Sequence, residues 1–160
     1  MAFIKVYTEK IVENKYPASL ACSVHFAVSW EGKPFQSLNQ GYGILFAKAA
    51  IREDNTIAER GIRNPRLRKA GEEYLIFAEP LDENWNPLEG GGYLVWRTRD
   101  FVRFSGEEWM EKIPEAGGQK GTETENFLEI PEELLAGILE RWVPLQSVAA
   151  EVPAGVRIHK

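Results

Sequence analysis

The chain has 160 residues, 44% hydrophobic and 27% charged, enough length and apolar content for one domain with its own core. A formal net charge of −5 argues against nucleic acid as a partner, because its binders need clustered Lys and Arg to displace counterions. The single cysteine, Cys22, excludes an internal disulfide, no apolar run approaches the roughly 20 residues of a membrane helix, and the start MAFIKVYTEK lacks the basic-then-apolar pattern of a signal peptide. A soluble, cytoplasmic protein with no membrane partner is therefore expected.

In chain order, residues 3–7 alternate Ile4 and Val6 with Lys5 and Tyr7, the period of a strand with one wet face, read as an edge strand. Residues 8–18 have no consistent period and read as a connection. From Leu20 to Trp30 the even positions are Leu20, Cys22, Val24, Phe26, Val28 and Trp30, and the odd ones are small or polar, so this run predicts a strand with one core face. The turn Glu31-Gly32-Lys33-Pro34 returns it as residues 35–38, giving a hairpin. Residues 42–47 are apolar on both faces and predict a covered strand, and residues 48–59 predict a loop.

Four strand-like runs then fill residues 61–105. Asn64-Pro65 opens the first, Lys69-Ala70-Gly71-Glu72 turns it into residues 74–78, a polar loop covers 81–92, and residues 93–98 and 102–105 close the unit as a hairpin. The two hairpins overlay weakly at an offset of 69, which places Phe35 on Phe104, Ser29 on Thr98 and Glu31 on Asp100. Repeated four-stranded units suggest propeller blades. Residues 114–126, rich in Gly, Glu and Thr, predict a flexible insert. Residues 131–142 predict an amphipathic helix: Pro131 fits its first position, Glu132 and Glu133 suit its positive end, Arg141 its negative end, and Leu134, Leu135, Ile138, Leu139 and Trp142 form an apolar stripe. The fold class expected is mainly β, with antiparallel blade-like sheets forming a partial β-propeller and one C-terminal amphipathic helix. Residues 1–145 form a single domain, and 146–160 a last strand or tether. Two blades leave open edges, so a weak homodimer is expected.

The chemistry available is limited. Cys22 and His25, three apart on a strand, point to opposite faces and cannot form a dyad; Ser23, His25 and Ser29 share a face that holds no carboxylate. Two histidines and one cysteine cannot build a structural zinc site, and Gly90-Gly91-Gly92 leads into a strand rather than a phosphate-binding helix, so neither metal nor cofactor is expected. The basic run Arg60, Arg63, Arg66, Arg68 and Lys69 reads as a solvated face. The pair Glu107 and Glu108 reads as surface charge. The surviving candidate is the loop carrying Asp82, Glu83 and Trp85, together with Arg63 and Asn64. An aromatic face beside carboxylate and amide groups is the chemistry of a sugar site, and a solvated turn whose Trp packs back on the sheet is the alternative.

The strings SVHFAVSWEGKPFQSLNQGYGILFAKA (23–49) and GIRNPRLRKAGEEYLIFAEP (61–80) resemble the first two blades of five-bladed propeller domains of family 43 glycoside hydrolases. The resemblance covers roughly residues 23–108, and Glu151-Val152-Pro153 resembles the lead into a bacterial immunoglobulin-like module. It implies hydrolysis of arabinose- or xylose-containing polysaccharides by an inverting carboxylate pair, helped by an Asp in an Arg-Asp-Pro context. Here that position is Asn64, residues 20–40 contain no Asp for the first-blade base, and the chain is too short for five blades, which puts the third-blade acid in doubt. The expectation is a carbohydrate-associated relative with an oligosaccharide ligand and no catalytic residues of its own. A hydrolase when assembled or full length is the alternative, and a structural interaction module a second.

Overall fold

The computed structural model describes residues 1–12, 17–113 and 126–144. Its elements are β1 (Ala2–Tyr7), a short helix α1 (Ala18–Ala21), β2 (His25–Trp30), β3 (Gln36–Ser37), β4 (Ala50–Ile51), β5 (Ile57–Ala58), β6 (Gly61–Ala70), β7 (Glu73–Leu81), β8 (Tyr93–Thr98), β9 (Glu108–Met110), β10 (Phe127–Ile130) and α2 (Glu132–Arg141). The protein is mainly β. One antiparallel sheet has the order β10-β1-β2-β3, a second has β6-β7-β8-β9, and β4-β5 is a separate ribbon. The sheets do not close into a ring.

Strand periodicity decides which side chains meet. In β1, Ala2, Ile4 and Val6 are buried while Phe3, Lys5 and Tyr7 occupy the other face. With Phe26 and Val28 of β2 they pack toward Ile62 and Leu67 of β6, Tyr74 and Ile76 of β7, and Trp96 of β8, so one continuous core fills the space between the sheets. β1 and β10 both lie against β6. α2 closes this core: Ile138 and Trp142 are buried, and Leu134, Leu135 and Leu139 pack beside them. Each such side chain contributes about 1.5–3 kcal/mol on burial. The Trp142 indole N–H donates to the Phe101 carbonyl at 2.8 Å, which fixes the helix end on the turn after β8.

Both long hairpins end in a buried hydroxyl that ties down its turn. Ser29 Oγ donates to the Lys33 carbonyl and Thr98 Oγ1 to the Arg103 carbonyl, at the two positions the offset of 69 had paired. Asp100 adds to the second turn by accepting from the N–H groups of Val102 and Arg103.

Several expectations are corrected. β1 is an interior strand, because β10 pairs with its free side from Ala2 against Ile130 to Lys5 against Phe127. Leu20 belongs to α1, not to a strand: Pro17 starts a helical turn, and β2 begins only at His25. Residues 42–47 form no strand; the turn at residues 39–41 has positive φ throughout, and only Leu45 bridges to Val24, leaving Tyr42 and Phe46 exposed. The loop at 48–59 carries the β4-β5 ribbon, whose turn is held by Asp54 accepting from the Thr56 N–H and hydroxyl. The fourth strand of the second sheet is β9, since Asp100 and Thr98 hold residues 100–103 in a turn and leave Phe104 a single bridge. The expected insert up to residue 125 and the expected tether at 146–160 lie outside the described residues.

Candidate functional site

β6 and β7 pair in simple register from Ala70 against Glu73 to Arg66 against Phe77. Continued unbroken, that register would set Glu79 opposite Asn64. A bulge between Arg63 and Arg66 shifts it by one residue, so that Glu79 faces Arg63 instead. Asn64 takes the left-handed conformation at φ 50°, which Asn tolerates better than most residues. The result is that both side chains reach one carboxylate: Arg63 Nε donates to Glu79 Oε1 at 3.0 Å and Asn64 Nδ2 to Oε2 at 3.1 Å.

This carboxylate lines a hollow of about 260 Å³ with Arg63, Pro80, Pro87, Leu88, Gly91, Gly92 and Tyr93. Gly91 and Gly92 have φ of 73° and 95°; the side-chain space at Gly91 is open, which lets a ligand approach the backbone there, whereas the Trp109 indole occupies the space a side chain would take at Gly92. The Tyr93 ring supplies an aromatic surface and packs edge-on against Phe77. Glu79, with one oxygen on a guanidinium and the other on an amide, is held in place and retains lone pairs for hydroxyl donors.

The loop residues are engaged differently. Asp82 Oδ1 accepts from the N–H groups of Asn84 and Asn86, closing its own turn. Glu83 pairs with Arg52 at 2.9 Å and so ties the loop to the β4-β5 ribbon. Trp85, at φ 65°, is half-buried: a Cβ built on Gly61 would lie 2.8 Å from its Cζ3 and 2.7 Å from Cys22 Cβ, so the indole covers the start of β6. Of the five residues singled out in the sequence, Arg63 and Asn64 come together on Glu79. Asp82, Glu83 and Trp85 hold the loop.

Glu79 itself was not singled out. The hairpin turn at residues 70–73 places it near residues 63–64, but only the bulge explains why two donors reach it. The polar residues at and just before the start of β2 are committed elsewhere. The Ser23 hydroxyl donates to the Leu20 carbonyl, and His25 Nδ1 contacts the Ser23 carbonyl, which can only accept, so the proton sits on Nδ1, and the buried Nε2 has no hydrogen-bond partner among the described residues. Burial pushes the Cys22 thiol above its ordinary pKa, away from a nucleophilic thiolate.

Among the described residues, no group of three or more His, Cys, Asp and Glu could hold a metal ion, and no helix is long and apolar enough to cross a membrane. No family model, curated protein or solved structure matches the chain significantly.

Proposed function

We propose that the chain is a carbohydrate-associated relative of family 43 glycoside hydrolases that binds an oligosaccharide and does not cleave it. The observation that carries this reading is the hollow in which Tyr93 stands beside a carboxylate oriented by Arg63 and Asn64. An aromatic surface takes the apolar side of a sugar ring, and a fixed carboxylate accepts from adjacent hydroxyls. Two-carboxylate hydrolysis needs a second acid roughly 5–9.5 Å from the first, and Glu79 is the only acid among the described residues lining this hollow. The position of the family's Arg-Asp-Pro acid is Asn64, which here donates to Glu79.

The test is calorimetric titration of arabinan and xylan oligosaccharides against the wild type and Glu79→Gln, with aryl-arabinofuranoside and aryl-xyloside turnover measured alongside. Expected are weak binding, a loss of about tenfold in affinity for Glu79→Gln, and no turnover. Binding unchanged by the substitution places the site elsewhere, and turnover that purification does not remove makes the protein a hydrolase.

One observation favours the second reading, a hydrolase that works within a larger assembly. The outer face of the first sheet carries Phe3, Phe35 and Phe127 in edge-to-face contact, with Phe35 38% and Phe127 45% exposed. A further layer there, in a weak homodimer or a larger protein, would bury them. A concentration-dependent mass in light scattering supports the dimer.

A further inference from the structure

Arginines on the second sheet and its neighbours fall into two groups. Arg52, Arg63, Arg97, Arg99 and Arg103 each pair with a carboxylate. Among the described residues Arg66 pairs with none, and Arg68 buries Nε and Nη1 without a hydrogen-bond partner. Arg66 and Arg68 stand opposite Phe77 and Leu75, two residues apart on one face of β6. Two unneutralised guanidinium groups so placed set up a positive potential beside the bulge.

Arg66 also lines a second hollow, of about 440 Å³, where the end of β1 meets the bulge of β6. Its polar side chains come from Thr8, Asn64, Arg66 and Asn126, with Val6, Tyr7 and Pro65 completing the wall, the Tyr7 hydroxyl being bonded to Ser37, and no acid lines it among the described residues. Amides and hydroxyls both donate and accept, which suits a polyol, whereas a guanidinium fork suits a planar carboxylate bound through two parallel hydrogen bonds. Asn64 belongs to both places: Nδ2 is committed to Glu79, and the residue lines this hollow.

We infer that this second hollow takes the carboxylate-bearing unit of an acidic saccharide, a uronic acid, with Arg66 recognising its charge. The inference rests on the carbohydrate reading for the class of ligand; the charge recognition stands on β6. A ligand with neutral units beside Glu79 and Tyr93 and an acidic unit beside Arg66 would cross the bulge at Asn64.

The experiment titrates the full chain with a xylo-oligosaccharide carrying one glucuronate, with the same oligosaccharide lacking it, and with inorganic sulfate, at low and high salt. The acidic ligand is expected to bind roughly tenfold more tightly than the neutral one, an advantage that shrinks as salt rises. Arg66→Gln, an exposed substitution, is expected to remove the advantage and leave the neutral affinity unchanged. Equal affinities for the two oligosaccharides, or a preference that persists in Arg66→Gln, would overturn the inference while leaving the Glu79 hollow standing. Sulfate competing as strongly as the acidic saccharide would overturn the saccharide assignment. Arg66-dependent binding of the acidic ligand that is insensitive to Glu79→Gln would support this inference and refute the reading of the first hollow.

Discussion

The two four-stranded sheets reach similar arrangements by opposite routes. β6, β7, β8 and β9 follow one another in the chain, each paired with the next, whereas the first sheet sets β10 beside β1 across more than a hundred residues of sequence. The contiguous sheet has turns that specify its hairpins locally, and it carries the candidate site. The first sheet is completed by tertiary contacts alone, so its integrity depends on α2 and the shared core. Substitutions can separate these two dependences.

The largest effect is expected where the closure is anchored. Ile138 is fully buried against both sheets, so Ile138→Asp places a charge in the core and should cost more than about 4 kcal/mol, abolishing or greatly lowering the cooperative thermal transition. An unchanged melting temperature would show that α2 does not hold the first sheet closed.

Next come the paired hydroxyls. Ser29 makes one bond to its turn, while Thr98 donates to the Arg103 carbonyl and accepts from the N–H groups of Phe101 and, at 3.3 Å, Asp100. Thr98→Val should therefore cost about 2–3 kcal/mol and Ser29→Ala about 1 kcal/mol by chemical denaturation. Equal losses would mean that the extra bonds in the second sheet contribute nothing.

The smallest effects are expected from pH. Burial pushes the His25 imidazole below its ordinary pKa, against the opposing influence of its Ser23 contact and Glu9. The unfolded chain therefore takes up this proton first, so the His25 contribution is complete above about pH 6.5 and declines as pH falls from there toward the lower folded value. For Asp100, burial acts upward, but the N–H groups of Arg103 and Val102, the Arg103 charge and the Thr98 hydroxyl hold the pKa below its ordinary value. Its contribution is complete above about pH 4 and is lost as pH falls through the depressed folded value. Melting temperatures between about pH 7 and 5 should fall in the wild type and fall less in His25→Gln, and Asp100→Asn should flatten only the decline below about pH 4. The reverse assignment of the two windows would contradict these environments.

The same contrast explains what was legible in the sequence. The β6-β7 hairpin follows from Ala70-Gly71 between two β-rich runs, and α2 from Pro131, its acidic first turn and its apolar stripe. β10 was hidden because four residues, Phe127–Ile130, become a strand only through the open edge of β1, and β1 was misread as an edge for the same reason. At the site, Arg63 and Asn64 stood out by composition, but Glu79 depended on a register shift that no local pattern marks. Trp85 in a loop of acids and amides has the composition of a sugar platform, yet the space above Gly61 beside Cys22, 39 residues apart in the chain, gives its indole a packing position.

The account's central claim is that saccharide binds beside Glu79, and backbone amide chemical shifts of the labelled protein, followed during titration with arabinan and xylan oligosaccharides, test it most directly. Saturable shifts confined to Arg63, Asn64, Glu79, Gly91, Gly92 and Tyr93, absent in Glu79→Gln, are predicted. Shifts centred on Asp82, Glu83 and Trp85 instead, or no saturable shift with any oligosaccharide, would contradict it.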